Sequence, residues 1–170
     1  MMKYIKIYDI IGFKICWVLC AFCSVWGQPY LGPLATLVFI LVHLFLVKFK
    51  SKDIKVILIA ITCGLIIDSL FSVFNLIEYK GGLLASYNLS PLWILSMWAG
   101  FAITLLYALD NLKEKYLISS LLGFIGGPLS YSAGLSIGSL EIQTNFAYVL
   151  LAISWGMVVP LLFKYINSFD

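Results

Sequence analysis

The hydrophobic pattern of the chain consists of six apolar runs separated by short polar or turn-forming segments, among them WGQPY, KFKSKD and DNLKEK. Each run is close to the roughly 20 residues that an α-helix needs to cross a bilayer. The pattern predicts six membrane-spanning helices, at residues 10–26, 30–47, 55–76, 91–109, 116–138 and 145–164. Since nearly all the connections are short, we expect antiparallel neighbours in an all-α bundle that forms one integral membrane domain over residues 1–170.

The lysine positions predict how these helices are oriented. All eleven basic residues are lysines, and ten of them lie at the amino terminus, after spans two and four, or at the end of span six. The exception is Lys80, which lies beside Glu78 in the opposite set of loops. The positive-inside rule therefore predicts a multi-pass protein with both termini in the cytoplasm, as an even number of spans requires.

The composition excludes a water-soluble protein. Hydrophobic residues make up 62% of the chain and charged residues 11%, and the mean hydropathy is +1.03. A soluble domain carries about 25% charged residues. We attribute the formal net charge of +3 to membrane topology, and we expect the lipid bilayer, not nucleic acid, as the partner.

Span five has an unusually small and polar surface. Residues at four-residue spacing form one ridge, which contains Gly126, Ser130, Gly134 and Gly138. A second ridge contains Ser119, Gly123 and Gly127. Small residues allow membrane helices to approach closely, so we predict a helix packed on two sides near the bundle centre. Pro128 predicts a bend, and the alternative interpretation is a broken helix that lines a ligand site.

A similar stripe in span three places an acid inside the membrane. The stripe contains Gly64, Asp68, Ser72 and Asn75. Asp68 lies thirteen residues beyond Lys55, or about 20 Å along a helix, where an uncompensated charge costs about 2.5–3.5 kcal/mol. We predict that Asp68 accepts hydrogen bonds from Tyr131 and from a span-five serine such as Ser130. Asp68 is then either part of a binding site or a structural polar link between helices.

The only histidine, His43, is the second candidate for a functional role. Depth arithmetic puts it in the cytoplasmic third of span two, across the midplane from Asp68, so the two residues do not form a dyad. Two roles are open for His43. One is a proton relay or catalytic group, and the other is a hydrogen-bonded residue near the interface.

The remaining reactive residue types do not form a motif. The four cysteines, Cys16, Cys20, Cys23 and Cys63, lack supporting histidines or a CxxC spacing, so we expect them to pack as small apolar residues. Phosphate-binding loops, zinc-protease motifs and nucleophile elbows do not occur in the sequence. The sequence therefore predicts no catalytic residue, metal ion or cofactor.

Four segments are similar to a bacterial membrane family known as domain of unknown function 2878. They are PLWILSMWAGFAITLLYALDNL (91–112), LLGFIGGPLSYSAGLSIG (121–138), GLIIDSL (64–70) and LVHL (41–44). The chain departs from the family at residues 106–108, where Leu-Tyr-Ala replaces a frequent Asn-His-Ser. The resemblance implies a bacterial inner-membrane location. Such genes often lie near those of enzymes similar to cyclopropane-fatty-acid synthases, which implies a link to membrane-lipid modification.

A weaker, architectural likeness connects the chain to the cell-shape protein MreD and to the substrate-binding subunits of energy-coupling-factor transporters. Three functional hypotheses follow. The favoured one is a non-enzymatic accessory protein that binds lipid or a small molecule, with lipid-modifying enzymes as partners. The alternatives are a small-solute transporter or binding subunit with a pocket around Asp68, and a membrane-embedded lipid-modifying enzyme. The oligomeric state is left open.

Overall fold

The structure is a computed structural model that describes residues 2–48 and 50–169. Its six α-helices are α1 (Met2–Val25), α2 (Leu31–Leu46), α3 (Ser51–Val73), α4 (Leu92–Ile103), α5 (Tyr116–Ile137) and α6 (Asn145–Asn167). Most ends lie within four residues of the predicted spans, and the predicted all-α membrane bundle is confirmed. The helix α1 begins well before residue 10, because the polar residues that interrupt the apolar run do not interrupt the helix.

The apolar character of these helices is that of a membrane protein. Three segments, Lys3–Val25, Ser51–Val73 and Asn145–Asn167, are long and apolar enough to cross a bilayer, and two shorter apolar helices cover Leu31–Leu46 and Leu92–Ala108. Large apolar side chains also cover much of the outer surface: Phe45 is 84% exposed and Leu117 75% exposed. A surface of this kind is stable against lipid and not against water.

The helix α4 occupies the centre of the bundle and continues as a π-helical segment, Thr104–Ala108. It packs against α1, α2 and α3, while α5 packs extensively on α6 and only sparsely on α1. The prediction that α5 is packed on two sides at the centre is therefore wrong. The reason is that only one of its two small-residue ridges faces another helix closely.

The ridge that does pack contains Gly123 and Gly127. A Cβ atom on Gly123 would overlap the backbone carbonyl of Trp155 on α6, and one on Gly127 would overlap the Trp155 ring. In the same interface, Ser120 Oγ donates a hydrogen bond to the Gly156 carbonyl at 2.8 Å. This close approach is what small residues provide in the absence of a hydrophobic drive between membrane helices.

The other predicted ridge of α5, which contains Gly126 and Gly134, does not form a close contact with another helix. A Cβ on Gly126 would meet no atom within 4 Å, and Gly134 faces Ser139 and Leu140, which directly follow α5. Gly138 lies beyond the helix with φ +85°, where it ends α5 in the left-handed conformation. The helix is continuous through Pro128, so the broken-helix interpretation is also wrong.

Two short strands, absent from the sequence prediction, join the loops at one end of the bundle. The strands β1 (Ile77–Tyr79) and β2 (Leu140–Ile142) pair antiparallel, with Glu78 opposite Glu141. Lys80 Nζ lies 2.7 Å from a Glu141 carboxylate oxygen, and this hydrogen bond raises the pKa of the lysine. The strands pair the backbone polar groups of both loops where the chain leaves its helices. We call this the strand end.

At the opposite end, which we call the lysine-rich end, side chains connect the remaining helix termini. Lys6 on α1 pairs with Asp110 at 2.7 Å. Asn167, the last residue of α6, donates a hydrogen bond to the carbonyl of Lys113 at 2.9 Å. The amino terminus of α1, the α4–α5 connection and the carboxyl terminus of α6 therefore lie at the same end.

We expect a Gly123→Ala substitution to lower the stability of the protein, because the Trp155 carbonyl that the new methyl group would overlap is backbone and cannot rotate away. Overpacking of this kind costs about 1–3 kcal/mol. Gly126→Ala, on the same helix, has free space and gains helix propensity, so its stability should equal or exceed that of the wild type. Thermal unfolding in detergent, followed by tryptophan fluorescence, measures both. Equal losses in the two variants would contradict the one-sided packing of α5.

Candidate functional site

The carboxylate of Asp68 is the centre of a buried hydrogen-bond cluster near the strand end. Its side chain is fully buried on α3. Tyr79 Oη on β1 donates a hydrogen bond to Oδ1 at 2.7 Å, and Trp98 Nε1 on α4 donates to Oδ2 at 2.7 Å. Tyr131 on α5 also donates to Oδ1. Through these bonds a single side chain connects three helices and the strand pair.

The predicted hydrogen bond between Tyr131 and Asp68 is confirmed. The predicted serine donor is wrong, because the serines of α5 bond elsewhere. Ser130 Oγ accepts a hydrogen bond from Trp17 Nε1 at 3.3 Å, and Ser132 Oγ donates to the carbonyl of Pro128 at 2.8 Å. Tyr79 and Trp98 supply the remaining hydrogen bonds instead.

The arrangement around Asp68 suits an ionised carboxylate. Tyr79, Trp98 and Tyr131 all donate to it, and an ionised carboxyl group can only accept. No salt bridge to Asp68 occurs among the described residues. The donors therefore compensate a buried charge without a cation, as hydrogen bonds to charged groups can.

The other span-three candidates are placed differently. Ser72 is buried one turn beyond Asp68 on α3 but does not donate to it. Asn75 lies outside the helix, is exposed, and has φ +52°. Asparagine tolerates this left-handed conformation at a helix end, which explains its position. Its predicted place in a binding site beside Asp68 is therefore wrong.

A cavity of about 270 Å³ lies beside the Asp68 cluster, between α1, α4, α5 and α6. Its aromatic wall residues are Phe13, Trp17, Trp93, Trp98, Phe101, Tyr131 and Trp155. On the α5 side the wall consists mainly of Gly123, Gly126, Gly127, Ser130 and Gly134. Pockets for small molecules typically hold about 300–1,000 Å³ and have mostly apolar walls, so this cavity is slightly smaller than that range.

The Asp68 cluster holds two rings of the cavity wall in place. Trp98 and Tyr131 line the cavity and also donate hydrogen bonds to Asp68. Trp155 stacks on Trp98 with ring centroids 4.5 Å apart and an interplanar angle of 20°. Its buried Nε1 forms no hydrogen bond of good geometry among the described residues, but it does interact with the Tyr131 hydroxyl. The cavity therefore combines rigid apolar walls with one weakly bonded indole donor.

Two of the helices around the cavity, α1 and α5, are only loosely joined. They contact each other sparsely, and Leu122, which lines the cavity, is 41% exposed. The neighbouring outer faces are apolar, since Ile15 on α1 is 55% exposed and Ile125 on α5 is 57% exposed. Such a flank lies against lipid, so this side of the cavity borders the bilayer.

A protein-family model described as "Protein of unknown function (DUF2878)" matches residues 6–161. The chain belongs to this family. Neither a curated protein nor a solved structure shows significant similarity to it. The matched region contains Asp68, its three donors and nearly all of the cavity wall described above.

In this DUF2878 protein His43 lies apart from Asp68, as the sequence predicts. Its Nδ1 is 2.7 Å from Asp9 Oδ1, and both side chains are fully buried. The periodicity of the apolar runs could not reveal this partner, because Asp9 precedes the predicted start of span one. Among the described residues, no group of three or more histidine, cysteine or acidic side chains could hold a metal ion.

We expect Asp68→Asn to destabilise the bundle strongly. Both tyrosines can still donate to the amide oxygen, but the amide NH₂ then faces Trp98 Nε1, which is also a donor. A buried group without a partner costs about 1–3 kcal/mol. Removing the indole donor in the double variant Asp68→Asn/Trp98→Phe should recover part of that loss.

The matched control is Asp110→Asn, which removes only the partly exposed pair with Lys6 and should cost less than about 1 kcal/mol. The measurement is chemical unfolding in detergent, combined as a double-mutant cycle for Asp68 and Trp98. Strictly additive losses in that cycle would show that the indole does not bond the carboxylate.

Proposed function

We propose that the protein binds the hydrocarbon chain of a membrane lipid in the cavity between α1, α4, α5 and α6. The observation that carries this proposal is a preformed, aromatic-walled cavity beside the sparse contact between α1 and α5, whose outer faces are apolar. An apolar chain fills such walls without loss of hydrogen bonds. A cavity that borders the bilayer favours a ligand that arrives from the membrane.

The weakly bonded donor of Trp155 is the basis for the polar part of the proposed ligand. A buried indole N–H gains a hydrogen bond only from an acceptor. An ester carbonyl or a hydroxyl oxygen near the chain supplies one, and a pure hydrocarbon does not. The ligand class is therefore an acyl or similar chain with an acceptor oxygen.

The nature of the walls argues against the alternative of a small-solute transporter with a pocket around Asp68. The carboxylate already accepts hydrogen bonds from three protein donors, so little capacity remains for a polar solute. The enzyme alternative needs a reactive group facing the cavity. Among the described wall residues, the polar side chains are hydroxyl and indole groups, without a carboxylate, histidine or lysine.

In this proposal the protein acts as a non-enzymatic accessory that presents a membrane lipid to lipid-modifying enzymes. The resemblance to the family supports this setting, together with a bacterial inner-membrane location. The lysine distribution supports both termini being cytoplasmic, which makes the lysine-rich end the cytoplasmic end.

We expect Gly126→Leu to block the cavity, because residue 126 lines it with free space around its Cβ position. The probe is a phosphatidylglycerol with a photoactivatable diazirine in one acyl chain, in nanodiscs that contain the protein. Cross-linking of α1 and α5 cavity residues, quantified by mass spectrometry, should fall about tenfold or more, a loss of at least 1.4 kcal/mol. Ser136→Leu adds the same side chain at an exposed position of α5 and is the control.

A second pair of variants tests the Nε1–H group of Trp155 as a hydrogen-bond donor to the ligand. Trp155→Phe keeps an aromatic ring but removes Nε1, so occupancy should fall about two- to tenfold, whereas Trp26→Phe, at a residue that is 71% exposed, should have no effect. Cross-links confined to the outer faces of the helices, and equal in the wild type and Gly126→Leu, would refute the proposal.

A further inference from the structure

A second buried polar cluster lies in the half of the bundle nearer the lysine-rich end. Asp9 on α1 and His43 on α2 form a hydrogen bond of 2.7 Å between Oδ1 and Nδ1. Both side chains have zero exposure to solvent. This pair is separate from Asp68 and from the cavity, whose wall residues do not include Asp9 or His43.

The pair is incompletely satisfied. Asp9 Oδ2 and His43 Nε2 are buried and have no hydrogen-bond partner among the described residues. More than about 90% of buried polar groups in proteins are paired, so two orphaned atoms on one ion pair need an explanation. A site that exchanges a proton provides one, because no single set of fixed partners can suit both protonation states.

The titratable groups around the pair come from the π-helical segment, from α3, from the connection just before α3 and, beside Asp9, from α1. From the π-helical segment Thr104–Ala108, Tyr107 packs its ring edge-on against His43 with centroids 4.8 Å apart. Its hydroxyl donates to Asp53 Oδ2 on α3 at 2.8 Å, and Asp53 is 1% exposed. Lys50 Nζ, just before α3, lies 5.6 Å from the centroid of the Tyr107 ring.

The polar groups of α1 beside Asp9 are occupied elsewhere. Tyr8 donates to the Phe39 carbonyl at 3.1 Å, and Lys6 pairs with Asp110 at 2.7 Å. Lys80 pairs with Glu141 at the other end of the bundle. With neutral His43, the contact to Asp9 is therefore a hydrogen bond from an imidazole to a carboxylate, without a formal positive charge on the ring.

Proton uptake places a positive charge directly beside the Asp9 carboxylate. A neutral His43 donates its Nδ1 proton to Asp9, and protonation of Nε2 converts the same contact into an imidazolium–carboxylate pair. A buried charge costs much less when it is paired, so Asp9 stabilises the imidazolium without a change of geometry. Ionisable groups at membrane depth commonly mark proton pathways, and π-helical segments are common at functional sites.

We propose that the Asp9–His43 pair is a proton-binding site, in which His43 Nε2 takes up and releases one proton beside the Tyr107–Asp53 contact. The site does not depend on lipid binding in the cavity. It is also separate from the Asp68 cluster near the strand end, where both carboxylate oxygens already accept hydrogen bonds.

The single histidine of the chain makes a direct test possible. Protein labelled with ¹⁵N-histidine and held in nanodiscs shows the resonances of His43 alone, and these distinguish the Nδ1–H tautomer from the doubly protonated ring. We expect conversion between the two as pH falls from about 8 to about 5, the range in which histidine titrates. In Asp9→Asn, the proton affinity should fall about tenfold or more, because the carboxylate that stabilises the imidazolium is gone.

The control is Glu114→Gln, which removes an exposed carboxylate at the same end and should leave the titration unchanged. Tyr107→Phe keeps the ring against His43 and removes the hydrogen bond to Asp53, so it should alter the curve less than Asp9→Asn does. If the His43 resonances of the wild type did not change throughout this pH range, the proposal would be overturned, even if every variant failed to fold. An Asp9→Asn titration identical to that of the wild type would overturn it as well.

Discussion

The compensation of the Asp68 charge is the constraint on which the bundle depends. A carboxylate at membrane depth costs about 2.5–3.5 kcal/mol or more, and hydrogen bonds to charged groups return about 1.5–3 kcal/mol each. The three donors, Tyr79, Trp98 and Tyr131, together offset that cost. Because they come from three different elements, the requirement fixes how α4, α5 and β1 lie around α3.

The same constraint shapes the cavity. Trp98 and Tyr131 cannot rotate into the open space without losing their bonds to Asp68. Trp155 is held against Trp98 by stacking and against Gly123 and Gly127 by close packing. Rings fixed in this way leave the space beside Gly126 unfilled. A preformed cavity persists only where its walls are rigid, since flexible side chains would otherwise fill it.

The two buried polar clusters differ in how completely their groups are paired. Around Asp68 each carboxylate oxygen has a donor, so a change of protonation would break existing bonds. Around Asp9 and His43, one acceptor and one ring nitrogen lack partners, so the cluster can gain a proton without losing its Oδ1–Nδ1 contact. A saturated network rigidifies a protein, and an unsaturated one is suited to exchange. The first arrangement supports the walls of the cavity, and the second suits the proton binding that we propose.

The sequence by itself determined the six helices, their approximate ends and the bond between Asp68 and Tyr131. Hydrophobic run length and the helical rise are local properties, and these were sufficient for all three. Only the tertiary structure decided that Tyr79 and Trp98 complete the Asp68 cluster and that Asp9 is the partner of His43. Helical period shows which residues share a face, but not which helix lies opposite that face. The one-sided packing of α5, and therefore the cavity beside Gly126, follows from that same choice of neighbours.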